Sequence, residues 1–149
     1  MTLQEQINAD VMTAMKAKDE VALRALRGLK SALLLAGSEP GANGIVSDEN
    51  ALKIFMKLAK QRKESLHIFN QNKRDDLAKI EQEELTVIER YLPKQMGEDE
   101  IKVILQKVVS DAGASSAADF GKVMPLAMKA MAGKADGKVI SALLKQILG

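Results

Sequence analysis

Apolar residues recur along this chain three and four positions apart, and no stretch shows the strict alternation of a half-buried strand. The first such stretch sets Leu3, Ile7, Val11 and Met15 at four-residue steps and reads as one amphipathic helix. A second helix starts near Asp19, a good N-cap, carries Leu23, Leu26, Leu29 and Leu33 down one face and stops at Gly37. The stretch that follows, with Pro40, Gly41 and Gly44, is the plainest loop in the chain and reads as a mobile surface connection. Ser47 then caps a long third helix with Leu52, Phe55, Met56, Ala59, Leu66 and Phe69 inward and Lys57, Lys60, Arg62 and Lys63 on its polar side. After a turn at residues 70–76, Asp75 or Asp76 caps a fourth helix with Leu77, Ile80, Val87, Ile88 and Tyr91 at helical spacing. Glu81, Glu83, Glu84 and Glu89 cover the rest of it, so the cationic third and anionic fourth helices are expected to pair as an antiparallel hairpin. Exposed ion pairs add only about 0–1 kcal/mol each, which tunes such a pairing without creating it.

Leu92-Pro93 is the expected boundary, because the residue before a proline avoids helical torsions. Beyond it, Gly97 and three acids open a fifth helix with Ile101, Ile104, Leu105, Val108 and Val109 inward, closed by Gly113. Ser115 or Ser116 caps a sixth, with Phe120, Val123, Met124, Ala127, Met128 and Met131 inward, and Gly133 ends it. Pro125 sits inside the sixth helix and removes one hydrogen bond, which predicts a kink made easier by Gly121. Asp136 caps a seventh that carries Val139, Ile140, Leu143, Leu144, Ile147 and Leu148. The expected fold is all-α, an N-terminal four-helix unit over residues 1–93 followed by a C-terminal three-helix unit over residues 94–149.

Composition agrees with helices. Trp is absent, Tyr occurs once and Phe three times, while eight Met suit adaptable helix packing better than any cofactor box. With no cysteine, disulfides, thiolate catalysis and Cys-ligated metals are excluded. No apolar run is long enough to span a membrane, and the N-terminus carries acids early without an uninterrupted apolar stretch, so neither a secretory signal nor a transit peptide is expected. The expectation from these features is a cytoplasmic protein.

Candidate chemistry is sparse. His67 is the single histidine and lacks convergent partners, so neither a metal site nor a relay is expected. No serine sits in a nucleophile elbow, and the loop at residues 37–44 lacks the Gly-Lys-Ser/Thr ending of a phosphate-cradling loop. The acids of the fourth helix read as a solvated face. No catalytic residue and no cofactor is assigned. Charge is more informative by its place than by its sum. Residues 1–93 hold 14 basic and 14 acidic side chains, whereas residues 94–149 hold 8 and 6. After Phe120 come Lys122, Lys129, Lys134, Lys138 and Lys145 against one acid, Asp136. These five lysines are the nucleic-acid-binding candidates, enough for modest and salt-sensitive binding of phosphates. Stacking on single-stranded bases is disfavoured by the few aromatics, whereas a folded RNA read by shape and backbone needs only lysines and helix N-termini.

The stretch from Gly133 through Lys134, Asp136, Gly137 and Lys138 to Leu148, with Gly113-Ala114-Ser115-Ser116 and Gly121-Lys122-Val123-Met124 upstream, resembles the C-terminal signature of the YqeY family. That family is related to the tail region of the GatB component of the glutamyl/aspartyl-tRNA amidotransferase, and the two together form the GatB/YqeY group. Met15-Lys16-Ala17-Lys18-Asp19, Arg27-Gly28-Leu29-Lys30, Lys60-Gln61-Arg62-Lys63 and Glu89-Arg90-Tyr91-Leu92-Pro93 occur in the family's order, so the resemblance covers essentially the whole chain. It implies an N-terminal helical domain, a three-helix C-terminal domain and an accessory role toward tRNA or a tRNA-bearing enzyme, since the related tail engages the outer body of tRNA while other parts do the chemistry. By that analogy residues 133–138 present Lys134, Lys138 and the N-terminus of the last helix to a phosphate. Capping alone also accounts for Gly133 and Asp136. Two other readings stay open: a helical protein-interaction module with no RNA, and a carbon–nitrogen ligase with glutamine as amido-N-donor, an activity that in the amidotransferase needs parts this chain does not resemble.

Overall fold

In a computed structural model that describes every residue from Met1 to Gly149, the apolar period is realised as seven α-helices and one short 3-10 turn, with no strand. Contacts group the chain into two units, Met1–Leu92 and Pro93–Gly149. In the first, α1 (Leu3–Ala17) opens with a reciprocal capping box. The Thr2 hydroxyl accepts from the Glu5 amide at 3.1 Å, and the Glu5 carboxylate accepts from the Thr2 amide at 2.9 Å. Its buried stripe is Ile7, Val11 and Ala14, whereas Met15 stays 48% exposed. Four-residue steps drift by about 40° each on a helix of 3.6 residues per turn, so the stripe moves to Ala14 and the expected place of Met15 is corrected.

Asp19 caps α2 (Glu20–Gly37) by accepting from the Ala22 amide at 3.1 Å, and Leu26, Leu29 and Leu33 form its buried face. Ser47 likewise caps α3 (Asp48–Gln71) through the Asn50 amide at 3.2 Å, and Phe55, fully buried, sits at the centre of this unit's core. The loop between them is fastened at its far end. Gln4 donates to the Gly44 carbonyl at 3.0 Å and accepts from the Val46 amide at 3.2 Å, while the Gly44 amide donates to Gly37 at 2.9 Å. A Cβ at Gly37 would lie 3.2 Å from the Gly44 backbone, which is why the second helix ends on glycine.

α4 (Asp75–Glu89) starts differently from the expectation. Arg74 holds the N-cap position without a side-chain bond, and Asp75 and Asp76 lie in the first turn, where their charge complements the helix dipole. Asp76 pairs with Arg74 at 3.3 Å instead of capping. The expected hairpin is present: Arg62 of α3 reaches Glu81 at 3.0 Å and Glu84 at 3.1 Å, and Arg24 of α2 joins the same cluster at Glu84, 3.3 Å away.

In the second unit α5 (Glu98–Asp111) ends at a left-handed Gly113, φ +66°. A 3-10 turn at Ala117–Asp119 precedes α6 (Phe120–Ala130), and α7 (Gly137–Leu148) closes the unit. Neither Ser115 nor Ser116 caps α6 through its hydroxyl; the Asp119 carboxylate accepts from the Ser115 amide at 3.0 Å and organises the turn. Pro125 lies within α6, so the Gly121 carbonyl has no amide donor four residues on. The most buried side chains here are aliphatic and thioether: Leu105, Val123, Met131, Ile140 and Leu144 are each at most 1% exposed, and Phe120 packs against them from the edge. No helix is long and apolar enough to cross a membrane.

Candidate functional site

The five candidate lysines all lie on α6, on α7 or on the segment between them, and all are exposed. They divide by location. Lys122 extends to the C-terminal end of α5 and donates to the Ala112 carbonyl at 3.0 Å, satisfying one of the acceptors every helix leaves there. Lys145, in the last turn of α7, sits 5.6 Å above the Phe120 ring, a cation–π contact. These two have local structural work. Lys129, Lys134 and Lys138 occupy the last turn of α6, the connection and the first turn of α7, so they share one end of the unit.

The connection that carries them is rigidly built. Gly133 is buried with φ +75°, and its carbonyl accepts from the Gln95 side chain at 2.9 Å. The Lys134 carbonyl accepts from the Met96 amide at 2.9 Å, so the segment before α5 holds the connection by two bonds. Gly137 lets the helices close up, since a Cβ there would lie 3.2 Å from the Met128 methyl.

Asp136 decides how the N-terminus of α7 can be used. Its carboxylate accepts from the Lys138 amide at 3.0 Å, placing a negative charge where a phosphate would approach. That amide is engaged by the cap, and the lysine side chains are the cations on this end that an anion could meet. Lys138 is informative because a cation in the first turn opposes the helix dipole, so helix stability gives no reason for it. Lys129, in a last turn, has the opposite and favourable sign.

The first unit contains a concave site that sequence reasoning missed. A cleft of about 350 Å³ opens between α1, the start of α2 and the segment after α4, lined by Asp10, Thr13, Asp19, Arg90 and Tyr91 among others. The Tyr91 hydroxyl donates to Asp10 Oδ2, and the Tyr91 ring meets Phe55 edge-on at 6.1 Å. Burial, then the bond to Asp10 and its charge, push the Tyr91 phenol well above the ordinary tyrosine value. Helical spacing marks Tyr91 only as a core position. Its hydroxyl has no counterpart in that pattern, and Asp10 looks like any surface acid of α1. His67 is exposed, and no group of three or more His, Asp or Glu side chains converges as a metal site would require.

Comparison with known proteins places these features in a family. The profile described as Yqey-like protein matches residues 4–148. Among curated proteins the chain is similar to "Altered inheritance of mitochondria protein 41, mitochondrial". With that of Saccharomyces cerevisiae (strain ATCC 204508 / S288c) it shares 39% identity over 87 residues, 58% of this chain and 46% of the relative. With that of Lachancea thermotolerans it shares 38% over 87 residues, again 58% of this chain and 46% of the relative. The protein from Pyrenophora tritici-repentis is 28% identical over 149 residues, covering 97% of this chain and 80% of its own length. The chain thus spans about half the length of the yeast relatives it matches. Their names overturn the expectation of a cytoplasmic protein, because the matched relatives are mitochondrial by name. The features behind that expectation, no cysteine, no long apolar run and an N-terminus with early acids that resembles neither a signal nor a transit peptide, carry no compartment address.

Proposed function

The chain belongs to the Yqey-like protein family, and from that premise we propose that it is a non-catalytic accessory protein that binds tRNA, or an enzyme carrying tRNA, through the three-helix domain that follows the four-helix one. The observation that carries this reading is the gathering of exposed Lys129, Lys134 and Lys138 at one end of that domain, with Lys138 placed against its own helix dipole. Lysines on a rigid connection bind phosphates as point charges and read the backbone of a folded RNA, with no aromatic platform needed. The non-catalytic part of the reading rests on the polar clusters: Arg24, Arg62, Glu81 and Glu84 neutralise one another between helices, an arrangement for packing.

A second reading, docking of a protein on the same domain, is favoured by Val103 and Leu126, 66% and 48% exposed. Isolated apolar side chains of this kind are common on any surface, which ranks it second. Binding of the purified chain to total tRNA over a salt series separates the two. The proposal expects affinity that falls steeply with salt and drops when Lys134→Glu and Lys138→Glu are combined. Absence of binding at low salt, or affinity indifferent to that double change, overturns it and directs attention to a pull-down of protein partners with Val103→Asp and Leu126→Asp as controls.

A further inference from the structure

The cleft of the first unit has a hydrogen-bonding character that its residue list hides. Its floor is apolar and small: Ala14, Ala22 and Leu26 are buried. Its wall holds two hydroxyls, and both have already used their protons. Thr13 donates to the Ala9 carbonyl at 3.2 Å, and Tyr91 donates to Asp10. Each hydroxyl oxygen therefore offers the cleft only lone pairs. Asp10 binds Tyr91 through Oδ2, and Asp19 binds the Ala22 amide through Oδ1, so each carboxylate retains a second acceptor oxygen. The side-chain donors among the lining residues are the Gln6 amide and Arg90, which is exposed at the rim.

Arg90 sets one cation against the two aspartates of the lining, so the balance stays negative. A concave site whose hydrogen-bonded side chains present acceptors is complementary to a ligand made of donors carrying positive charge. An ammonium group supplies three N–H donors on one compact cation, and a short alkyl chain suits a floor of alanines and leucine. We propose that this cleft binds a small primary alkylammonium, with the nitrogen at Asp10 and the chain along Ala14, Ala22 and Leu26. The size fits, since a cleft of about 350 Å³ lies at the lower end of small-molecule sites. The Tyr91 phenol keeps its proton at neutral pH, as tyrosines do, so its bond to Asp10, and with it the exposed lone pair, persists there. The site is built by residues before Pro93 and stands independently of tRNA binding, so either inference can fail alone.

The test is an amide chemical-shift titration of the isotopically labelled full chain with n-butylammonium chloride, run beside tetramethylammonium and butyrate. Saturable shifts confined to α1, the start of α2 and residues 90–91 are expected with butylammonium only. Tetramethylammonium has the charge without N–H donors, and butyrate has the chain with the opposite charge. Asp10→Asn keeps an oxygen for the Tyr91 hydroxyl while removing the charge, and should weaken binding by about tenfold or more, the usual consequence of losing one charge-assisted bond. Shifts of equal size with tetramethylammonium, shifts spread over acids elsewhere such as Glu98–Glu100, or no saturation overturn the proposal. These controls use the unaltered protein, so the outcome does not depend on the variant folding.

Discussion

The two units use charge in opposite ways. In Met1–Leu92 positive and negative side chains are equal in number, and part of that charge cross-links helices, with Glu84 of α4 reaching both Arg24 of α2 and Arg62 of α3. In Pro93–Gly149 every basic residue is lysine and the helices meet over an aliphatic core. There Lys122 and Lys145 find a carbonyl and an aromatic ring, while Lys129, Lys134 and Lys138 stand out at one end. Arginine's planar fork suits fixed multi-point pairing with carboxylates, and that is the use Arg24 and Arg62 make of it between the helices of the first unit. A net charge near zero over the whole chain hides this division.

The largest effects expected on either side are core truncations, which show how each unit is held. Phe55→Ala removes the central side chain of the first core and should cost about 3–5 kcal/mol, and Leu144→Ala should cost about 2–5 kcal/mol in the second. Urea unfolding, with amide exchange to locate the loss, reads both. Next comes Glu84→Gln, which deprives two arginines of a partner that is itself only 19% exposed and should cost about 1–2 kcal/mol. If charge in the first unit were decoration, that change would leave the urea midpoint where it was.

Asp136→Ala bears on both halves of the comparison. Losing the N-cap of α7 should destabilise the protein by about 1 kcal/mol. The same change removes an anion from beside Lys138, so affinity for tRNA should rise while stability falls. A joint fall would mean that the cap shapes the binding surface. A smaller effect separates Tyr91 from its neighbours. Its phenol titrates above the usual value in the folded chain, so its contribution to stability is complete below about pH 10 and is lost as pH rises past that point toward its raised value. Tyr91→Phe should flatten this alkaline decline, and since Tyr91 is the single tyrosine of a Trp-free chain, its tyrosinate absorbance follows the titration directly.

Most of the helices were legible because their apolar stripes and caps are local signals. Asp19, Ser47 and Asp136 announce helix starts by their own chemistry, and the structure uses each of them as a cap. Asp75, Asp76, Ser115 and Ser116 offered the same chemistry and were not used. A left-handed Lys73 followed by Arg74 sets the start of α4, and a 3-10 turn organised by Asp119 sets that of α6. Several capping residues in a row make the start ambiguous, and the surrounding turn resolves it. The five lysines were readable as a basic bias, but their division into two locally engaged and three gathered at one end depends on where α5 ends and where Phe120 packs. The cleft was not readable at all. Asp10 and Tyr91 are 81 residues apart and only the packing of the first unit brings them together.

The claim that cations of the second unit serve an RNA while those of the first serve the fold is tested most directly by matched charge reversals. Total-tRNA binding would be measured across a salt series for Lys134→Glu/Lys138→Glu and for Lys57→Glu/Lys63→Glu, two exposed lysines of α3. The account predicts that the first pair weakens binding and lowers the salt slope by about 2, one unit for each phosphate no longer neutralised, while the second pair changes neither. Equal losses from both pairs would contradict it, because the whole surface would then be acting as an undifferentiated polycation.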